Sequence, residues 1–113
     1  MEIKTPERGD IIVCNFSPTM GHEQSGNRPA LVLSDYSYNS KMGGLALVCP
    51  ITNTLRGYYF EVMIDTKKTK GAILSHQITT IDYIARKVKI VDKVNVETLR
   101  EVVDKINVLI AIP

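Results

Sequence analysis

Short apolar runs separated by turn-forming residues do most to limit what this chain can fold into. The runs are residues 10–16 (DIIVCNF), 30–34 (ALVLS), 45–49 (LALVC), 60–64 (FEVMI), 72–74 (AIL, extending toward Ile78) and 87–91 (KVKIV). Each is too short for a stable helix, and each carries β-branched side chains that suit a pleated surface. They predict strands, with Pro50 ending the third. Six strands at short spacing point to a mainly β fold, a small barrel or sandwich. Near the C-terminal end the period changes. Val96, Leu99, Val102, Val103, Ile106, Leu109 and Ile110 recur at three- and four-residue steps, a single apolar stripe on a helix. Asn95 is the expected N-cap, and Glu97 falls in the first turn, where the helix dipole favours an anion. The stripe is expected to pack on the strands.

At 113 residues the chain fits one domain, residues 1–113, whose core needs neither disulfides nor a metal. Charged residues make up 23% and the net charge is +2, too mild to mark a nucleic-acid binder unless the basic residues gather on one face. Cys14 and Cys49 lie far apart with no CxxC spacing, which reads as two buried free thiols in a reducing compartment. No Cys/His cluster has metal-ligand spacing, and no cofactor is called for. The start is charged, and no apolar run approaches the roughly 18 residues of a membrane span. A cytoplasmic protein without membrane contact is expected.

Three connections carry the polar chemistry. Residues 17–28 form a long loop holding His22, Glu23, Gln24 and Arg28. An arginine fork matches phosphate oxygens, and a carboxylate or imidazole can take a proton from a ribose hydroxyl. The same residues also suit a solvated surface loop. Residues 51–59 hold Thr52, whose hydroxyl can donate to a phosphate or cap a turn. They also hold Tyr58 and Tyr59, of which one can stack on a base and the other is expected in the core. Residues 66–70 (TKKTK) are a basic turn. His76 lies near a strand, where a packed histidine is the commoner role. Lys87 and Lys89 read as an outward strand face.

The segment from Arg8 to Ser34 resembles the opening of MazF/PemK toxins of type II toxin–antitoxin systems. It carries a Gly-Asp strand, a Ser-Pro-Thr turn and the G-x-E-Q-x-G-x-R-P loop from Gly21 to Pro29. The resemblance continues through Val48-Cys49-Pro50-Ile51-Thr52, Gly57-Tyr58-Tyr59-Phe60-Glu61-Val62, and the stretch from Gly71 to Gln77. Ala85-Arg86 and Lys105-Ile106-Asn107-Val108-Leu109-Ile110 extend it to nearly the whole chain. It implies a small SH3-like barrel of the CcdB/PemK kind with a C-terminal helix, working as a homodimer. The implied activity is a metal-independent endoribonuclease (an mRNA interferase) that cuts single-stranded RNA at short motifs. The implied partner is a MazE-like antitoxin with an acidic, disordered C-terminal tail.

By the same resemblance Arg28 and Thr52 are the catalytic pair, with Glu23 as acid/base and His22 as its alternative. Thr19, Gln24, Asn27, Asn53, Arg56, Tyr58, His76, Gln77 and Arg86 are the implied RNA contacts. Two positions depart from the family pattern. His76 stands where an Asp is usual, and Leu74 where the PemK branch relies on an Arg, which aligns the chain with the MazF branch. The chemistry implied is attack of the ribose 2′-OH on the adjacent phosphorus. It leaves a 2′,3′-cyclic phosphate (then 3′-phosphate) and a 5′-OH end. Two alternatives share the barrel: a non-catalytic toxin that traps DNA gyrase, and an inactive RNA-binding relative.

Overall fold

The computed structural model describes residues 3–17, 21 and 26–113. Among these, the chain order is β1 (Asp10–Asn15), β2 (Asn27–Val32), α1 (Tyr36–Lys41), β3 (Leu45–Thr52), β4 (Glu61–Asp65), β5 (Lys70–Leu74), β6 (Thr79–Asp82), β7 (Lys89–Lys93) and α2 (Val96–Ile110). All pairings are antiparallel, in the order β4-β5-β3-β2-β1-β7, with β6 also on β3. The sheet curls into a half-barrel with a C-terminal helix, so the mainly β expectation holds.

Pro50 does not stop the third strand, contrary to the sequence expectation; β3 runs through it to Thr52. The reason is register. Leu33 N donates to Leu47 O, so that pair is hydrogen-bonded. By alternation, the facing pair Ala30 and Pro50 is not. The nitrogen of Pro50 therefore faces away from β2. On that side β6 pairs with residues 45–48 and β5 with residues 51–52. The missing donor falls where one partner strand hands over to the next, so it breaks no rung.

The central strands bury both faces over residues 11–12, 30–32, 48–52 and 72–74, which is why those runs read as continuous, whereas β4 alternates and keeps Met63 exposed. One core holds Ile12, Cys14, Phe16, Ala30, Val32, Val48, Ile81 and Tyr83. The other holds Ile11, Leu31, Cys49, Ile51, Val62, Ile73 and Val102. α2 covers this second core. Asn95 caps it as expected, its side chain accepting from Thr98 N at 2.8 Å. The stripe is only partly covered, however. Val102 is fully buried and Leu99 and Ile106 pack alongside, while Val96, Val103, Leu109 and Ile110 stay exposed. The helix rests on the sheet along one narrow seam.

Two elements had no apolar signature. α1 is polar and starts at an Asp35 cap, its carboxylate accepting from Tyr38 N at 2.9 Å. Its one buried residue is Asn39, which donates to Pro6 O at 2.8 Å and Ser34 O at 3.0 Å. The short β6 has two exposed threonines. β7 begins at Lys89 rather than 87, because Lys87 adopts φ 51° and closes the preceding turn.

Candidate active site

Arg28 is half-buried on β2 and pairs across β1 with Cys14. The β2–β3 register matches Ala30 with Pro50 and Val32 with Val48. Extended by two residues, it sets Arg28 abreast of Thr52. Both side chains then belong to the face of Cys14, Ala30 and Val48. The pair falls in the non-hydrogen-bonded class, where facing side chains come closest. Thr52 is 4% exposed. Its Oγ1 accepts from Thr54 N at 3.1 Å, which leaves the hydroxyl hydrogen available for donation. Behind it Gly71, at φ 148°, lets β5 close up, since a Cβ there would stand 2.4 Å from Thr52 O.

The 53–60 loop is held at two points. The Glu61 carboxylate accepts from Arg56 N at 3.1 Å and Gly57 N at 3.2 Å. Lys105 of α2 donates to Tyr59 O at 2.5 Å, with its ammonium 4.0 Å from the Tyr59 ring centre. Tethered this way, both Tyr58 and Tyr59 are exposed, so neither enters the core as expected. Phe60 turns inward instead. Asn53 and Arg56 are exposed on the same loop. His76 packs edge-on to Tyr58, with ring centres 6.0 Å apart, and tilted against Phe60 at 5.6 Å. Its Nδ1 is buried and has no hydrogen-bond partner. Gln77 follows, half-buried, its N–H donating to Leu74 O.

Asn27 is exposed where β2 begins, opposite Asn15. Arg86 Nη1 donates to the carbonyls of Asn15 and Ser17. Burial raises the Cys14 thiol above its usual range, and the Arg86 charge partly offsets this. Thr19, His22, Glu23 and Gln24 lie outside the described residues. Among the described residues, no three His, Cys, Asp or Glu side chains are grouped to hold a metal. No described helix is long and apolar enough to cross a membrane.

Two clusters thus form: Arg28, Thr52, Asn27 and Arg86 around the end of β2, and Tyr58, Phe60, His76 and Gln77 beyond β5. Reading the sequence placed Glu61, Gly71 and Lys105 within the family resemblance but gave them no role; they hold these groups in position.

Comparison with known proteins agrees with this architecture. Residues 7–110 match the family described as PemK-like, MazF-like toxin of type II toxin–antitoxin system. The endoribonuclease toxin MazF of Escherichia coli (strain K12) is 42% identical over 105 residues, 93% of this chain and 94% of that protein. The crystal structure of MazF from Deinococcus radiodurans superposes with a TM-score of 0.90 at 34% identity, covering 96% of this chain and 99% of that one. A MazE–MazF crystal structure from the same organism matches at TM-score 0.85 and 34% identity, covering 97% and 99%. With the family matched over almost its full length and its fold reproduced, the chain belongs to the PemK-like, MazF-like toxins of type II toxin–antitoxin systems.

Proposed function

We propose that this protein is a toxin that cuts single-stranded RNA, mRNA in particular, at a short sequence motif by a metal-independent route. The observation that carries the reading is the β2–β3 register, which runs to Ala30 opposite Pro50 and, continued two residues along each strand, brings Arg28 abreast of Thr52. In this scheme the ribose 2′-OH attacks phosphorus and expels the 5′-oxygen, so the nucleophile belongs to the substrate. Glu23, or His22 if neutral, accepts the 2′-OH proton. Arg28 stabilises the charge that builds on the phosphoryl oxygens, and Thr52 donates to a non-bridging oxygen. Arg28 itself is a poor proton acceptor, since guanidinium stays charged below about pH 12. Tyr58, His76 and Gln77, with Asn53 and Arg56, line the path of the bases; Thr19, Gln24 and Asn27 flank the cut.

The exposed apolar residues of α2, together with Met63 of β4, favour a homodimer. A MazE-like antitoxin with an acidic tail suits the basic side chains around the site, and MazE–MazF complexes exist for the Deinococcus relative. The setting is the cytoplasm, where mRNA is found.

The test incubates purified protein with a long single-stranded RNA in EDTA, without gyrase, and maps the new ends. Cuts at one recurring motif with 5′-OH ends are expected. A 2′-deoxy residue at the cut should abolish them, and Arg28→Ala should lower kcat by about 100-fold or more while the protein stays folded. Intact RNA after exposure to the folded, antitoxin-free protein would rule the reading out.

A further inference from the structure

Arg86 has the charge and exposure of an RNA contact, yet its guanidinium is already engaged. Nη1 donates to two carbonyls, Asn15 O and Ser17 O, on the strand that enters the 17–26 loop. The return strand is tied to the same spot. Phe16 N donates to Gly26 O at 3.0 Å, Gly26 N to Ser17 Oγ at 3.1 Å, and Ser17 N to Asn15 Oδ1 at 2.9 Å. One rung further on, Cys14 faces Arg28. That Arg86 lowers the Cys14 pKa against the effect of burial agrees with its charge lying close to this rung.

The segment that presents Arg86 is itself rigid. Asp82 Oδ1 accepts from Ile84 N at 3.1 Å and Ala85 N at 2.8 Å. Arg86 N donates to Asp82 O, Lys87 N to Ile84 O, and Val88 N to Tyr83 O. Buried Tyr83 anchors the turn through its hydroxyl, which donates to Asn39 O at 2.7 Å. A cation on a hydrogen-bonded turn thus grips the backbone at the neck of the 17–26 loop, beside the bonds that join Phe16 and Ser17 to Gly26.

We infer that Arg86 is a positioning residue: it clamps the neck of the 17–26 loop and so fixes where that loop leaves the sheet relative to Arg28. The functional consequence rests on the proposed ribonuclease reading; the clamp itself does not. Without the clamp the neck at residues 15–17 and Gly26 is held less firmly, and Arg28, two residues beyond Gly26, is placed less accurately beside the reacting groups. Such a loss falls mainly on kcat, because Asn53, Arg56, Tyr58, His76 and Gln77, which line the path of the bases, lie outside this loop.

Arg86→Ala and Arg86→Lys are compared with wild type in three measurements. The first is steady-state cleavage of an RNA carrying one motif. Arg86→Ala should lower kcat about 10- to 100-fold with KM within about 3-fold, as expected for misplacement of a reacting group. Arg86→Lys should recover part of the loss, since an ammonium can still hold one carbonyl. The second is the salt dependence of binding to the same RNA with a 2′-deoxy residue at the cut. Its slope should match wild type. A slope shallower by about 0.7, the value for one phosphate contact on a single strand, would overturn the inference and make Arg86 an RNA ligand. The third is amide hydrogen exchange of Phe16 and Gly26, which should quicken in Arg86→Ala while the buried strands stay protected. Unchanged exchange there overturns the clamp even if the wild-type protein cuts no RNA. If wild type leaves RNA intact but the neck amides exchange faster, the clamp stands and the proposed activity falls.

Discussion

Gly71 leaves no space for any other residue. Its φ of 148° is strained for a side chain, and a Cβ would lie 2.4 Å from Thr52 O and 3.1 Å from Thr52 C. These are backbone atoms, so no rotamer change relieves the clash. Gly71→Ala must therefore push β5 away from β3 just where Thr52 sits. The substitution should cost about 1–3 kcal/mol in urea unfolding, as strained backbone positions do. RNA cleavage should drop further than stability alone explains, because the Thr52 hydroxyl shifts away from Arg28. Gly43→Ala, between α1 and β3, is the control. Its φ of 67° is also strained, but nothing lies within 4 Å and it is not among the site residues, so Thr52 and cleavage should be unaffected. Equal cleavage by both variants would mean that Thr52 geometry does not matter.

Among the elements, α1 depends most on a single residue. Asn39 is fully buried, donates to two carbonyls from different segments, and accepts from Ser34 Oγ at 2.5 Å, while its own carbonyl takes the Tyr83 hydroxyl. Asn39→Ala leaves several of these groups without partners inside the protein. It should lower stability by about 2–4 kcal/mol, seen as a fall in the urea midpoint with little change in slope. A loss under about 0.5 kcal/mol would show that water replaces the amide. This helix could not be read from the sequence, because the residue that buries it is polar and no apolar period surrounds it. The β-branched runs and the α2 stripe were legible, since burial there follows side-chain type. Pro50 misled because a proline signals a strand end unless its nitrogen faces a gap, and that depends on register. Arg28 and Thr52 could be named from their motifs. That they come abreast depends on the pairing of β2 with β3, which no local pattern contains. Tyr58 and Tyr59 were misjudged for a similar reason, as Tyr59 is tethered to Lys105 from loop to helix and Tyr58 packs on His76 from beyond β5.

For the whole molecule, the core on both faces of the sheet makes the thiols inert at neutral pH. Cys49 is fully buried, and burial pushes its pKa from 9.0 up to about 12. Folding thus holds the thiol protonated where the unfolded chain would ionise it. The resulting stability is complete below about pH 9 and is lost as pH rises toward about 12, with a slope near 1.4 kcal/mol per unit. Cys49→Ala should leave a small cavity and start less stable at pH 7. It should then lose less stability than wild type between pH 9 and 11, when urea midpoints are followed across that range. Parallel curves would mean that other groups govern the alkaline limb.

The neck of the 17–26 loop joins parts of the chain made far apart in time. Arg28 and the strands beside it come early in synthesis, whereas Arg86 and β7, which pairs with β1, come near the end. Synthesis runs from the N-terminus, so the emerging chain holds Arg28 and Thr52 before it holds the turn that steadies the loop leading into β2. The first half of the protein can form its central hairpin on the ribosome, but the neck of the loop most directly tied to its chemistry is clamped only once the turn carrying Arg86 has been made.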